Sequence, residues 1–205
     1  VGAVREGRRI YDNIRNFVQY ILSTNAGEVL TLLLSPLLGM PLPLLPIHIL
    51  FINLLTDGIP ALALTMEPAD RNVMQRSPIS MQTSLFANGV GRNIAWSGCL
   101  IGTVTLLTQM AALELEMPHW QSMVFTVLTF GQLFNVMSVH AGTEPAIGCA
   151  LWRNPFLLTG VIFCAAATLL ALYFPWANAL LKPQPPSISE LGMCMTMASV
   201  PFFAI

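Results

Sequence analysis

Charged residues are scarce in this chain of 205 residues: Asp, Glu, Lys and Arg together make up 9% of it, whereas 55% of the residues are hydrophobic. A soluble domain usually carries about 25% charged residues. A water-soluble fold of this size cannot hide so much apolar surface, but a lipid bilayer solvates it. The composition therefore excludes an ordinary soluble domain and predicts an integral membrane protein.

Basic runs and paired cysteines are absent. The formal net charge is −1 and no stretch is rich in Lys or Arg, so nothing indicates nucleic-acid binding. No two cysteines have CxxC spacing, and we interpret all four as small buried hydrophobic residues without a disulfide framework. They are Cys99, Cys149, Cys164 and Cys194. No signal peptide precedes the first apolar segment, and residues 1–9 open in the middle of a helical pattern, as a fragment would.

Six apolar segments are long enough to cross a bilayer, for which about 20 residues are needed. They are residues 17–38, 44–66, 94–113, 120–140, 156–174 and 188–205, the last being short because the sequence stops. The sequence thus predicts an all-α, integral membrane bundle of six transmembrane helices with both ends on the same side.

The basic residues predict the orientation. Eight of the nine fall on one side of this topology, and the positive-inside rule makes that side cytoplasmic. They are Arg5, Arg8, Arg9, Arg15, Arg71, Arg76, Arg92 and Arg153, and Lys182 lies on the opposite side. Both ends of the chain are therefore expected in the cytoplasm.

The first helix is expected to be longer than the bilayer is thick. Ile10, Ile14 and Phe17 recur at helical spacing, and nothing breaks the pattern before Pro36. A helix of 38 residues would reach about 57 Å, nearly twice the hydrocarbon thickness of about 30 Å. We expect its first half to form a cytoplasmic stalk that transmits force to the membrane; the alternative is a flexible amphipathic leader.

Two carboxylates, Glu28 and Asp57, lie deep within predicted spans. A charge at this depth costs at least about 2.5–3.5 kcal/mol on insertion scales, and it usually marks an ion pathway. No Arg or Lys lies deep in any span to neutralise these acids. The pair therefore indicates a site for protons or for a bound cation.

The neighbours of the two acids favour a cation. Asn25 and Glu28 share one helix face, as do Asn53, Thr56 and Asp57 on the next helix. These side chains offer amide, hydroxyl and carboxylate oxygens without sulfur or imidazole. Hard cations such as Ca²⁺ take 6–8 oxygen ligands.

A helix break is expected beside Asp57. Pro60 cannot donate a hydrogen bond to the carbonyl of Thr56, and Gly58 loosens the same turn. We expect the second helix to unwind near Asp57-Gly58-Ile59-Pro60 and to free backbone carbonyls beside the acid, as discontinuous helices do at transport sites. The alternative is a packing kink whose polar residues bond to neighbouring helices.

Further polar residues are less specific. Gln132 and Asn135, three residues apart in the fourth span, could supply more oxygens or bond helix to helix; the two readings weigh evenly for Gln132, and packing is favoured for Asn135. His48 is interpreted as an interfacial residue, and His119 and His140 as loop or helix-end residues.

At these residues the chain closely resembles P-type ATPases of the calcium-transporting branch, in the reticulum-type and bacterial pumps. The similarity is strong over residues 1–95 and mostly topological beyond. The matching motifs are Glu6-Gly7-Arg8, Ile10-Tyr11-Asp12-Asn13, Ser23-Thr24-Asn25-Ala26-Gly27-Glu28-Val29, Asn53-Leu54-Leu55-Thr56-Asp57-Gly58-Ile59-Pro60-Ala61 and Glu67-Pro68-Ala69-Asp70. Sodium/potassium pumps typically have Asp where Asn53 stands, which favours calcium.

The resemblance implies that the chain is the fifth to tenth membrane helices of such a pump. It implies four parts: a stalk end leading from a phosphorylation domain (1–16), an ion-binding helix pair (17–66), a cytoplasmic loop that touches the phosphorylation domain (67–93) and a supporting four-helix domain (94–205). The motifs DKTG, TGES and GDGxND are absent. ATP and Mg²⁺ are therefore expected to bind only in other domains, and the fragment is not catalytic alone. The implied location is the bacterial plasma membrane.

The resemblance also implies ligand sets. Asn25, Glu28, Thr56 and Asp57 would serve one cation site, and Asn53 with Asp57 the second, which also needs a glutamate from a helix absent here. Reticulum-type pumps have a glutamate where Gln132 aligns, so one Ca²⁺ per cycle is favoured over two. When the ion leaves, two acids remain in a medium that disfavours charge, and we expect them to take up protons in exchange.

Three other functions stay open on sequence alone. A pump of this type could carry Mn²⁺, Na⁺ or H⁺ instead, since ligand type barely separates Mn²⁺ from Ca²⁺. A secondary-transporter half or channel-like bundle also uses broken helices and buried acids. A purely structural membrane domain would use the same polar residues only to join helices.

Overall fold

The computed structural model describes residues 1–69, 73–76, 84–87, 89–142, 154–174 and 185–204. Within these ranges six helices are present and no strand, which confirms the predicted all-α bundle. They are α1 (Gly2–Leu37), α2 (Pro46–Thr65), α3 (Val90–Glu114), α4 (Trp120–Ala141), α5 (Pro155–Tyr173) and α6 (Ile188–Ala204). The first five are long and apolar enough to cross a membrane, and α6 is a shorter apolar helix of 17 residues.

Helix α1 runs without interruption for 36 residues and ends one residue after Pro36. At 1.5 Å per residue it is about 54 Å long, which exceeds the hydrocarbon thickness of a bilayer, about 30 Å. The extended first helix predicted from the sequence is therefore present.

Helix α2 changes its winding in the middle. Pro46 opens an α-helical segment that ends at Phe51, residues Ile52–Asp57 form a π-helix, and Gly58–Thr65 are α-helical again. The irregularity expected from Gly58 and Pro60 is thus a widened turn just before them, and residues 58–60 themselves are not unwound. A π-turn accommodates the proline because the wider turn relieves the clash between its ring and the carbonyl one turn earlier.

Helix α4 is the centre of the bundle and contacts all five other helices. Its apolar side chains are buried on every side, as expected of a helix with no exposed face. Its position brings Gln132 and Asn135, both fully buried, into the interior of the membrane region.

Two glycines allow α1 and α3 to pack very closely. A Cβ atom on Gly98 would lie 2.7 Å from Cβ of Ala26, and one on Gly102 would lie 2.6 Å from Cδ2 of Leu30. The spacing is the GxxxG pattern by which membrane helices approach each other without side chains between them. This contact fixes α1, and therefore Glu28, against the rest of the bundle.

The arginines near the start of α1 gather at one end of the bundle. Arg8 Nη1 donates to the carbonyls of Val73 and Arg76 at 2.8 and 2.7 Å, and Arg15 Nη2 donates to the carbonyl of Ala87 at 2.7 Å. We call the end marked by Arg8, Arg15 and Arg76 the basic end. Arg71, Arg153, Lys182 and Cys149 lie outside the described residues, so the predicted orientation stays a prediction.

Candidate functional site

The carboxylate of Glu28 joins three helices. It is 4% exposed; Gln132 Nε2 on α4 donates to Oε1 at 2.8 Å, and Asn53 Nδ2 on α2 donates to Oε2 at 2.9 Å. Three residues predicted for the site from separate parts of the sequence are therefore in direct contact. Hydrogen bonds to a carboxylate are stronger than those between neutral groups, so this contact orders all three side chains.

Asp57 ends the π-helical turn and is 1% exposed. The Tyr20 hydroxyl, fully buried on α1, lies 3.2 Å from Asp57 Oδ1 and 3.2 Å from the carbonyl oxygen of Thr56. A hydroxyl has one hydrogen, so Tyr20 can donate to only one of the two acceptors at a time. Asn53, which bonds to Glu28, belongs to the same π-helical turn as Asp57, so the two acids belong to one site.

Two oxygens of this site lack a donor. Asp57 Oδ2 and Gln132 Oε1 are buried, and neither accepts a hydrogen bond from a described residue. The fully buried Thr24 hydroxyl also lies near the Asp57 carboxyl, but it donates to the Ile21 carbonyl at 3.1 Å. Leaving a buried acceptor unpaired costs about 1–3 kcal/mol, more for a charged group. The chain has no Arg or Lys between Arg15 and Arg71 and none in α4. A cation bound between these oxygens would supply the missing positive charge.

Two predicted ligands turn toward their own helix instead. Asn25 Nδ2 donates to the carbonyl of Ile21 at 2.7 Å, and Thr56 Oγ1 donates to the carbonyl of Ile52 at 2.9 Å. Neither side chain bonds to Glu28 or Asp57 within the described residues, so their role as ligands stays a prediction. Asn135 is fully buried, but neither of its amide atoms bonds to a described residue, so the helix-to-helix bond favoured for it is not observed.

The backbone carbonyls beside Asp57 are not free, contrary to the expectation from Pro60. The Thr56 carbonyl, which lacks the amide donor that Pro60 would otherwise provide, faces the Tyr20 hydroxyl. The Leu55 carbonyl accepts from the Gly58 amide and from the Cys164 thiol, whose Sγ lies 3.3 Å away on α5. Side chains of neighbouring helices thus take the place of helical donors.

Sequence reasoning missed Tyr20 and Cys164. Tyr20 precedes Thr24 and Glu28 by four and eight residues and shares their helix face, so its spacing was a usable signal. Cys164 had no such signal. Cys164 and Cys194 are buried, as predicted for the cysteines. Cys99 is exposed, so the prediction is wrong for this residue. Small residues form the side of α3 that packs on α1, and Cys99 lies on another face of that helix.

The histidines stand apart from this site. His48 lies in the first turn of α2 and is 1% exposed, with its ring 5.1 Å from that of Phe125, so it packs inside the bundle near a helix end. Its predicted place at the membrane interface stays a prediction. His119 and His140 lie at helix ends as predicted, where they pair with Glu190 at 3.2 Å and Glu67 at 2.8 Å. Within the described ranges no group of three or more His, Cys, Asp or Glu could hold a metal, so the site is one of oxygens from two acids and two amides.

Comparison with known proteins identifies the family of the chain. The family model described as "Cation transporting ATPase, C-terminus" matches residues 41–205. The chain is 33% identical to the "Calcium-transporting ATPase" of Bacillus subtilis over 99% of its length, which is 23% of that protein. It is 28% identical to the "Endoplasmic reticulum calcium ATPase srcA" of Aspergillus fumigatus over 99% of its length, which is 24% of that protein.

A third relative is the "Calcium-transporting ATPase type 2C member 1" of Pongo abelii, 29% identical over 97% of this chain and 22% of that protein. The chain thus spans about a quarter of the length of the curated relatives it matches. The relatives are therefore much longer proteins, and the matching family model describes their C-terminal part. The chain belongs to the cation-transporting ATPase family and matches the C-terminal region of its members.

Proposed function

We propose that this chain is the ion-translocating membrane part of an ATP-driven pump that exports Ca²⁺ from the cytoplasm. One observation carries the proposal: Glu28 and Asp57 are both buried and meet at one turn of α2, because Asn53 of that turn bonds to Glu28 and Asp57 ends it. The chain has no Arg or Lys between Arg15 and Arg71, and among the described residues none donates to Asp57 Oδ2 or Gln132 Oε1. A site of this kind is unfavourable when empty and favourable when a dehydrated cation occupies it.

The donor set suits a hard divalent cation. Glu28 and Asp57 can each supply two oxygens, and Asn53 and Gln132 one each, which reaches the lower end of the 6–8 that Ca²⁺ takes. Asn25 and Thr56 are the proposed additional ligands, because each donates to its own helix and keeps acceptor lone pairs on its side-chain oxygen. Asn53 is exposed on the outer face of α2, so we propose that other membrane helices of the pump close the site there.

We propose one Ca²⁺ per cycle. Two divalent ions carry four positive charges, and Gln132 adds a neutral amide to the site and no further carboxylate. The two charges of Glu28 and Asp57 balance a single one. Mn²⁺ prefers similar ligands, and ATPase activation by Mn²⁺ alone would reassign the cargo without changing the site.

Exchange for protons follows from the same burial. When Ca²⁺ leaves to the outside, two adjacent carboxylates in a medium of low dielectric repel each other, and protonation removes both charges. Proteoliposomes that contain the complete pump would show proton efflux from the lumen during calcium uptake. Calcium uptake with no opposing proton movement would contradict the exchange.

The contacts at the basic end support a transmission role for the start of α1 and for the loop of residues 67–93. Asn13 Nδ2 donates to the carbonyls of Thr65 and Glu67 at 2.8 and 3.0 Å, and Arg76 pairs with Asp12 at 3.0 Å. A displacement of the stalk would therefore move the C-terminal end of α2, and Asp57 lies on the same helix. We propose residues 1–16 as the stalk end, 17–66 as the ion-binding pair and 94–205 as the supporting domain, which also contributes Gln132.

The remaining parts of the pump are proposed to supply ATP and Mg²⁺ binding and the phosphorylated aspartate. We place the protein in a bacterial plasma membrane with both ends of this chain on the cytoplasmic side. The experiment is phosphorylation of the complete pump by ATP with Ca²⁺, Mn²⁺ or Na⁺ as the added ion. We expect phosphorylation with micromolar Ca²⁺; phosphorylation that needs none of these ions would overturn the proposal.

A further inference from the structure

Helix α5 contacts the ion-binding helix α2 at three heights on one face. Asn154 Nδ2 donates to the carbonyl of Ala63 at 3.0 Å, a Cβ on Gly160 would lie 3.2 Å from Cγ2 of Ile59, and Cys164 Sγ lies 3.3 Å from the carbonyl of Leu55. The three α2 residues are four apart and therefore share one face of the helix. Helix α5 is thus a fixed support along α2.

The third contact falls within the π-helical turn. Leu55 lies between Asn53, which bonds to Glu28, and Asp57, which faces Tyr20. Its carbonyl accepts the Gly58 amide three residues on and the thiol of Cys164. The thiol adds a hydrogen bond to the apolar packing that other helices make with this turn through Ile52, and Cys164 is fully buried.

We propose that Cys164 is a positioning residue of the cation site, which acts through the Leu55 carbonyl. The thiol holds the widened turn in one arrangement, and this arrangement sets the distance between Asn53 and Asp57 around the ion. Cys164 itself offers no ligand, because its sulfur is directed at a backbone oxygen that is already paired. The inference rests on the proposed function of the chain as a cation-binding part of a pump.

Cys194 provides a matched control. It is also fully buried and free, and its thiol lies 3.8 Å from the carbonyl of Met123, in a cluster with Val104, Ala112 and Val127 that contains neither carboxylate. Replacing either cysteine by alanine removes one buried sulfur, but only Cys164 contacts the turn that carries Asp57.

The experiment measures two quantities in the complete pump: the Ca²⁺ concentration for half-maximal phosphorylation and the maximal level of phosphorylation. The variants are Cys164→Ala, Cys164→Val, Cys164→Ser and Cys194→Ala. Valine fills the space of the thiol without a donor, and serine keeps a donor. We expect the half-maximal Ca²⁺ concentration to rise roughly threefold to tenfold for the alanine and valine variants. The maximal level should be unchanged, and the serine and Cys194→Ala variants should match the unmodified pump.

A wild-type affinity in Cys164→Val would show that the sulfur only fills space and would overturn the positioning role. Equal shifts in Cys164→Ala and Cys194→Ala would overturn it as well. If the unmodified pump shows no cation-dependent phosphorylation, the proposed function itself fails, which is a different outcome from an unchanged affinity in the variants.

Discussion

Gln132 on α4 and Glu28 on α1 are joined by a hydrogen bond of 2.8 Å, although 104 residues separate them in the chain. The amide has one donating and one accepting end, and only the donating end is used, because Oε1 of Gln132 has no partner within the described residues. Gln132 thus holds the carboxylate in place, and its buried oxygen is left for a ligand. The central helix of the bundle is therefore part of the proposed site.

Replacing Gln132 by leucine should weaken cation binding in the complete pump. The change removes both the donor to Glu28 and one candidate ligand oxygen, and a hydrogen bond to a charged group contributes about 1.5–3 kcal/mol. We expect the half-maximal Ca²⁺ concentration for phosphorylation to rise at least about tenfold. Thr129→Val is the control, because Thr129 is fully buried on the same helix with no partner for its hydroxyl among the described residues; an equal effect there would argue against a specific role.

Asp57→Asn should abolish Ca²⁺-dependent phosphorylation by ATP. The substitution leaves the shape nearly unchanged but removes half of the negative charge of the site, and its amide hydrogens would face the cation. Losing one partner of a buried charge pair costs about 3–5 kcal/mol, so the affinity should fall more than roughly hundredfold. Glu114→Gln, an exposed acid at the end of α3, should behave like the unmodified pump. Normal calcium dependence in Asp57→Asn would refute the assignment of this acid.

The sequence was sufficient to find the two acids and the helices that carry them. Carboxylates are so costly in an apolar span that Glu28 and Asp57 stand out without any structural information. The spans of α1 to α5 were equally clear, since their length and hydropathy are set by the bilayer. The contact between the two helices, which joins Asn53 to Glu28, was visible only in the structure.

The details of the site depend on which side chains of other helices contact it, and the sequence does not specify those contacts. Pro60 removes a donor, but whether the helix unwinds or widens depends on whether another helix supplies a substitute, and here Tyr20 supplies one. Asn25 was expected to face Glu28 from its spacing, yet its amide can satisfy itself on the Ile21 carbonyl one turn back. Spacing gives the helix face of a side chain and leaves its rotamer open.

Tyr20→Phe tests the substitute donor. Without the hydroxyl, the Thr56 carbonyl and Asp57 lose the one donor that they share, at a cost of about 1–3 kcal/mol. We expect a lower unfolding temperature of the complete pump in detergent and a higher half-maximal Ca²⁺ concentration.

Tyr173→Phe is the matched control for Tyr20→Phe. Tyr173 also donates to a backbone carbonyl, that of Pro186 at 2.9 Å, but outside the carboxylate site. This variant should lower stability without changing the calcium dependence. A calcium shift of the same size in both variants would show that the effect of Tyr20 comes through general stability.

The packing of α1 on α3 should tolerate no side chain at Gly98 or Gly102. A Cβ on Gly98 would also lie 3.1 Å from the carbonyl of Ser23, and one on Gly102 would lie 3.2 Å from the carbonyl of Gly27, so backbone would have to move. Overpacking of this kind costs about 1–3 kcal/mol. Gly98→Ala and Gly102→Ala should therefore lower the unfolding temperature of the complete pump. They should also weaken calcium binding, since α1 carries Glu28.

Gly192→Ala on α6, where a Cβ meets nothing within 4 Å, should be neutral or slightly stabilising. A stable pump with normal calcium affinity in both α3 variants would mean that this contact does not hold α1 in place.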